Sequence, residues 1–233
     1  LEAGLRETGV VAPMFLMLSG GGLTTVETAC RFPIRLVESG PAGGAIFSAH
    51  IARQVGLDRV LSFDMGGTTA KICLLTDGEP ERARKFEIAR AYRDMKGSGI
   101  PVRIPVIEMV EIGAGGGSIA RVDKLSRITV GPDSAGSTPG PVCYGRGGTE
   151  PAVTDANLAL GKIDPTYFAG GKIALDEAAA KQALQKTIGA KLGLKEFWPA
   201  AGVTEIVEEN MANAARVHAI ERGHDIASCT MIA

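Results

Sequence analysis

The sequence has 233 residues, 45% of them hydrophobic and 22% charged, which is ordinary globular composition and enough chain for one large domain or two modest ones. A formal net charge of -1 sets up no global field to draw in nucleic acid or an anionic membrane. No apolar run approaches the roughly 18–20 residues a membrane-spanning helix needs. The four cysteines are widely spaced, with Cys30 and Cys73 the nearest pair at 43 residues, so there is no CxxC metal knuckle, and the three histidines show no HExxH pattern. With no signal-like start, free thiols in a reducing cytoplasm are expected. The chain opens at Leu1 without a methionine and stops at Ala233 in an apolar segment, which suggests a piece of a longer protein.

In chain order, Leu1 to Leu18 is moderately apolar and ends at Gly20-Gly21-Gly22. Pro41 to Val55 reads as a helix of small and apolar residues, with Pro41 in its first turn and Gly56 as its stop. Arg59–Met65 reads as a buried strand, Gly66 to Thr69 as a tight turn and Lys71–Leu75 as a second strand. Asp77-Gly78 is a strong hairpin signal, with a partner segment expected to continue into Arg84–Arg90. Val102–Ile112 reads as strands interrupted by Pro105, and Ser118–Val122 with Arg127–Val130 as another hairpin. Gly131 to Pro151 is expected to be a long loop, a length that points to function.

Helices are expected over Thr154–Leu160, capped by Thr154 or Asp155, over a stretch from Asp176 to about Leu192, and from about Ala200 to Arg222. A strand begins at Thr230. A sheet-rich first half followed by helices gives an α/β class with α+β features.

Glycine is the compositional outlier. The 31 glycines are about 13% of the chain against a usual 7% or so, and twelve of them fall between Gly97 and Gly148. The segment Leu61 to Thr69 is the strongest chemical signal. A hydrophobic strand delivers the carboxylate of Asp64, and Gly66-Gly67-Thr68-Thr69 follows at once. Glycines let backbone N–H groups approach an anion closely, the threonine hydroxyls add donors, and Asp64 stands where it could hold the waters of a Mg²⁺ ion. The competing reading is a glycine hairpin turn that Asp64 merely caps. No GxxxxGK[ST] loop occurs.

Gly113, Gly115, Gly116 and Gly117 form a second anion-ready nest with Ser118 as a nearby donor, or else a turn that lets two strands pack tightly. Asp133, Arg146 and Asp155 are the polar residues of the long loop best suited to a role. Arg146 either clamps a phosphate or carboxylate or braces the loop; Asp155 is either a ligand or a helix cap. Tyr144 fits a packed aromatic better than a substrate contact.

The order of these parts resembles the actin-like ATPase superfamily, in which a small-residue crossover helix precedes a second phosphate loop of form DxGGxT. Here Glu38-Ser39-Gly40-Pro41-Ala42-Gly43-Gly44-Ala45 opens the helix that feeds the Asp64 strand. Three further segments, Val110 to Ala120, Val130 to Gly136 and Pro139 to Gly148 closing with Val153 to Asn157, together resemble the hydantoinase A/5-oxoprolinase family, which includes acetone- and acetophenone-type carboxylase subunits. The likeness runs from about Met17 to Ala233.

The resemblance implies an actin-like, ribonuclease H-like core with a glycine-rich β insertion at about 97–153. On that reading residues 1–56 close a preceding domain and carry the crossover helix, and 57–233 form the second ATPase half. It implies ATP and Mg²⁺ as cofactors, Asp64 on metal-bound water, and Gly66, Gly67, Thr68 and Thr69 on the phosphates. The implied activity is ATP-dependent opening of a cyclic amide of the hydantoin or 5-oxoproline type, in an oligomer with a B-type partner subunit or domain. Two alternatives are an ATP-dependent carboxylase subunit and a non-catalytic nucleotide-binding scaffold.

One departure stands out. Many members follow the GGT turn with a hydroxyl pair and an aspartate, where this chain has Thr69-Ala70-Lys71. Lys71 either adds positive charge near the phosphates or, as strand alternation favours, points to solvent. The family's first phosphate loop and its adenosine-side loop fall outside the 233 residues, so this stretch alone is expected to be inactive.

Overall fold

The computed structural model describes residues 1–88 and 97–233. In chain order these form α1 (Glu2–Glu7), β1 (Phe15–Met17), β2 (Leu23–Thr25), α2 (Val26–Arg31), α3 (Ser39–Val55), β3 (Arg59–Met65), β4 (Ala70–Thr76), β5 (Glu79–Pro80), β6 (Arg82–Ala83), β7 (Phe86–Ile88), β8 (Ile100–Val102) and β9 (Val106–Ile107). Then follow β10 (Val110–Ile112), β11 (Ser118–Val122), β12 (Ile128–Ser134), α4 (Val153–Ala159), α5 (Glu177–Leu184), α6 (Ala190–Leu192), α7 (Trp198–Glu221) and β13 (Thr230–Ile232). Two compact units divide the chain: Leu1–Asp64 with Ile72–Met109 and Ala227–Ala233, and Met65–Lys71 with Val110–Ile226.

In the first unit β3 lies between β4 and β13. β13 runs parallel to β3, with Thr230 opposite Val60 and Ile232 opposite Ser62, so the strand foreseen at Thr230 is a sheet neighbour of the Asp64 strand. The hairpin foreseen at Asp77-Gly78 forms with both residues at positive φ, 53° and 72°, the twist a two-residue hairpin needs. It pairs Leu75 with Pro80. The partner does not continue as one strand: β6 pairs with β9 and β7 with β8, and the part of that expectation falling on 89 and 90 lies outside the described residues.

α3 covers the sheet through a face of small residues. Ala42, Ala45, Ala49 and Ala52 are buried against Val60, Cys73, Leu75 and Ile107. Alanine brings the helix axis close to the strands, and the gain comes from many short contacts rather than a few large side chains. Gly56, at φ 70°, ends the helix, as a glycine past the last turn does.

In the second unit β11 and β12 form an antiparallel pair with a bulge between Ser118 and Ala120. That bulge corrects the expected strand end at Val130: it absorbs Gly131-Pro132, and β12 continues to Ser134. The segment expected to be loop also holds a 3-10 turn at Val142–Tyr144. Asp176 caps α5 by accepting from the N–H of Ala179 at 2.9 Å. The helix expected to reach Leu192 does so, but through a wide π turn at Gln185–Gly189. A second core joins Cys143, Leu158, Leu175 and Ala180, with Tyr144, Ile163, Phe168 and Ile173 against it. Among the described residues no helix is long and apolar enough to cross a membrane.

Candidate functional site

β3 is buried at Val60, Leu61 and Ser62 and emerges into solvent at Asp64. Successive strand residues alternate faces, so Ser62 and Asp64 look the same way. On α3, Gly44 and Ser48 share a face one turn apart. The two faces meet: the Ser48 and Ser62 hydroxyls hydrogen-bond at 2.9 Å, and a Cβ on Gly44 would stand 4.0 Å from Oδ2 of Asp64. The missing side chain at Gly44 therefore leaves open space beside an exposed carboxylate. No ion pair or hydrogen bond engages the Asp64 carboxylate among the described residues.

The turn that follows belongs to the second unit. It closes on itself through the N–H of Gly66, which donates to the carbonyl of Thr69 at 2.9 Å. Two more bonds hold it from behind: the N–H groups of Gly116 and Gly117 donate to the carbonyls of Gly66 and Gly67 at 3.1 and 2.6 Å. Contact is backbone on backbone, since a Cβ on Gly115 would sit 2.6 Å from the Gly66 carbonyl oxygen and one on Gly117 2.8 Å from that of Gly67.

In a trans peptide the C=O and N–H point in opposite directions. Pinning the carbonyls of Gly66 and Gly67 inward thus turns the N–H groups of Gly67 and Thr68 away from the loop behind. Gly66, Gly67 and Thr68 are exposed, Thr69 is half-buried, and no atom lies within 4 Å of where a Cβ on Gly67 would be. Among the described residues no hydrogen bond uses the N–H of Gly67 or Thr68 or either threonine hydroxyl.

The second glycine segment has a different character. Gly115 donates to Oγ of Ser118 at 2.9 Å, and Gly116 and Gly117 donate to the turn. Gly113, half-buried, sits under Gly131, whose added Cβ would meet the Gly113 carbonyl oxygen at 3.0 Å. Of the two readings open for Gly113 to Gly117, these bonds describe the close-packing one, with loop against turn.

For Asp155 they describe the cap. Its carboxylate is fully buried and accepts from the backbone N–H of Val142, Cys143 and Ala152 at 3.1, 2.7 and 2.8 Å. Arg146 is exposed, its guanidinium 5.9 Å from the Tyr144 ring, a cation–π distance. Tyr144 packs on Phe168 at 5.6 Å, and burial raises its hydroxyl pKa. Asp133 pairs with Arg121, which also holds Glu150 at 2.7 Å; the two carboxylates push the guanidinium pKa up.

Lys71 corrects an expectation. β4 is covered on both faces, so alternation does not lead out to solvent. The Lys71 ammonium instead reaches Glu111 at 3.3 Å, with its side chain only 13% exposed.

All 233 residues match the family described as hydantoinase/oxoprolinase. The chain belongs to the hydantoinase/oxoprolinase family. Among its relatives, the caprolactamase subunit alpha of Pseudomonas jessenii is 37% identical over 97% of this chain and 31% of its own length. The acetophenone carboxylase gamma subunit of Aromatoleum aromaticum is 38% identical over 90% of this chain and 28% of its own. A nucleotide-free structure of acetone carboxylase superposes with a TM-score of 0.84 at 28% identity, over 99% of this chain and 31% of that one, so the α/β fold is shared with that enzyme. The chain spans about a third of the length of the curated relatives it matches.

For this member of the hydantoinase/oxoprolinase family, the fit of a divalent ion is decided by donor chemistry. Among the described residues no group of three or more His, Cys, Asp or Glu side chains could hold a metal. Asp64 alone does not make a protein cage, but Mg²⁺ usually keeps several waters and takes one or two carboxylates with substrate phosphates. A single exposed carboxylate next to the gap at Gly44 fits that mode. Sequence reasoning missed Gly44, Thr154 and Lys71 as partners of these elements. The only signal for Gly44 was the small-residue run at the start of α3.

Proposed function

We propose that this chain carries the second phosphate loop of an ATP-using enzyme that activates a carbonyl oxygen of a small substrate by phosphoryl transfer. The turn after β3 supports this reading most directly: the carbonyls of Gly66 and Gly67 are pinned, while the N–H groups of Gly67 and Thr68 and the Thr68 and Thr69 hydroxyls have no partner among the described residues. Those donors suit phosphate oxygens, and Asp64 suits the water shell of Mg²⁺. Bound Mg-ATP supplies the phosphoryl group, and positioning with charge neutralisation provides most of the acceleration. On this reading the chain supplies the second half of an actin-like ATPase.

Two acceptors fit one phosphoryl-transfer half. In a cyclic amide, phosphorylation of the amide oxygen makes the ring carbon a better electrophile for water, so that the C–N bond breaks and the acyl phosphate left behind hydrolyses, and the caprolactamase relative favours this class. In a ketone, the same activation precedes carboxylation, and the two carboxylase relatives favour that class. Either enzyme would work with a partner subunit or domain that completes the reaction.

The test is Mg-dependent ATP turnover by the full-length protein, wild type and Asp64→Asn, with a lactam panel and with ketone plus bicarbonate. Stimulation by one panel assigns the acceptor, and Asp64→Asn abolishes it without loss of fold. Turnover of the variant within about threefold of wild type, less than 1 kcal/mol of barrier, refutes the role of Asp64. Tight nucleotide binding with no turnover on any substrate would mark a scaffold instead.

A further inference from the structure

The loop behind the turn is itself held from behind. Both the N–H and the hydroxyl of Thr154 donate to the carbonyl of Gly116 at 2.8 Å, and Thr154 is almost fully buried. The Gly116 carbonyl shares a peptide group with the N–H of Gly117, which donates to the carbonyl of Gly67 at 2.6 Å. That carbonyl in turn shares a peptide group with the N–H of Thr68. Three groups thus stand in series: Thr154, the 116–117 peptide and the 67–68 peptide. Each bond polarises the next, because a peptide whose oxygen accepts becomes a better donor at its nitrogen.

We propose that Thr154 is a positioning residue for the turn Gly66–Thr69, acting through this relay of peptide groups to aim and polarise the N–H of Thr68. Asp155, by accepting from the N–H of Ala152 at the start of α4 and from those of Val142 and Cys143 in the preceding 3-10 turn, fixes the helix end on which Thr154 stands. The glycines at 115, 116 and 117 admit the close approach that the relay needs. The Thr68 donor is thereby set before any ligand arrives, so an anion docking on the turn meets a fixed and strengthened N–H.

The functional meaning rests on reading the turn as a phosphate cradle, so the experiment separates the two claims. Amide proton shifts of Gly117 and Thr68 are recorded in ¹⁵N-labelled full-length protein for wild type, Thr154→Val and Thr154→Ser. Loss of the hydroxyl in Thr154→Val moves both amides upfield, and Thr154→Ser restores them. A shift at Gly117 with none at Thr68 overturns the relay. Should Thr154→Val not fold, the scalar coupling across the hydrogen bond from Gly117 N to Gly67 C′ in wild type decides, its absence overturning the proposal.

Mg-ATP binding is measured on the same samples. Thr154→Val weakens it about threefold to tenfold, the scale of one hydrogen bond, while Thr154→Ser stays near wild type. A wild-type protein that binds no Mg-ATP removes the phosphate reading, while the amide shifts still judge the relay.

Discussion

Gly44 and Asp64 face each other across the contact of α3 with β3, with 4.0 Å between Oδ2 and the point where a Gly44 side chain would begin. That spacing is ordinary van der Waals contact, so a methyl group fits without moving the carboxylate. Gly44→Ala removes a glycine from a helix interior and is expected to stabilise the fold by about 0.5–1 kcal/mol, read from urea unfolding. The methyl also fills the space an ion's water shell would use. Nucleotide affinity measured with Mg²⁺ falls, and affinity measured in EDTA does not.

The Ser48–Ser62 bond sits one helical turn further along the same contact. Removing one hydroxyl leaves the other buried without its partner, so Ser48→Ala and Ser62→Ala each cost about 1–2 kcal/mol. The double variant costs less than the sum. A double-mutant cycle by chemical denaturation checks the coupling, and strict additivity counts against it.

Asp155 accepts three backbone N–H groups in a fully buried position. Asp155→Ala leaves all three without an acceptor and is expected to cost roughly 3–5 kcal/mol. Asp155→Asn keeps one carbonyl oxygen but presents an NH₂ to an N–H donor, and is expected to lose about half as much. Thermal or urea unfolding measures both.

Two glycines give opposite results on the same substitution. Gly115→Ala drives a Cβ to within 2.6 Å of the Gly66 carbonyl oxygen and is expected to cost about 1–3 kcal/mol by displacing the turn. Gly40→Ala, near the start of α3 with nothing within 4 Å, is expected to be neutral or stabilising. Unfolding midpoints of the pair at matched m-values check the contrast.

The thiols give a pH dependence. Burial, followed by the charge of Glu81, pushes the Cys73 thiol from 9.0 up to about 12. The unfolded chain therefore ionises first, and native stability is intact below pH 9 and declines as pH rises from 9 toward 12. Burial also pushes Cys143 upward, so Cys73→Ala reduces that slope without flattening it. At pH 8 a thiol reagent should modify exposed Cys30 fastest and half-buried Cys229 more slowly, leaving buried Cys73 and Cys143 untouched in the native state.

What the sequence made legible is local. The Asp64 strand, the Gly66–Thr69 turn, the Asp77-Gly78 hairpin and the Asp176 cap depend on neighbours within a few residues, and each carries its own pattern. The grip of Gly116 and Gly117 on Gly66 and Gly67 joins segments 50 residues apart in the chain, and no spacing rule encodes it. Lys71 departs from the alternation because period two presumes one wet face, and β4 is covered on both. Asp155 offered two roles at the sequence level because a carboxylate at a helix start serves a backbone or a ligand equally well. Only the positions of Val142 and Cys143 decide between them.

The alanine face of α3 has a consequence for how this protein can change. At Ala42, Ala45, Ala49 and Ala52 there is only a methyl group left to trim, so every mutation but the helix-weakening one to glycine adds atoms to a filled seam. Variation in this helix is therefore channelled to its outer side, where Phe47 and His50 stand exposed. The inner row is held to the smallest residues by its neighbours' bulk.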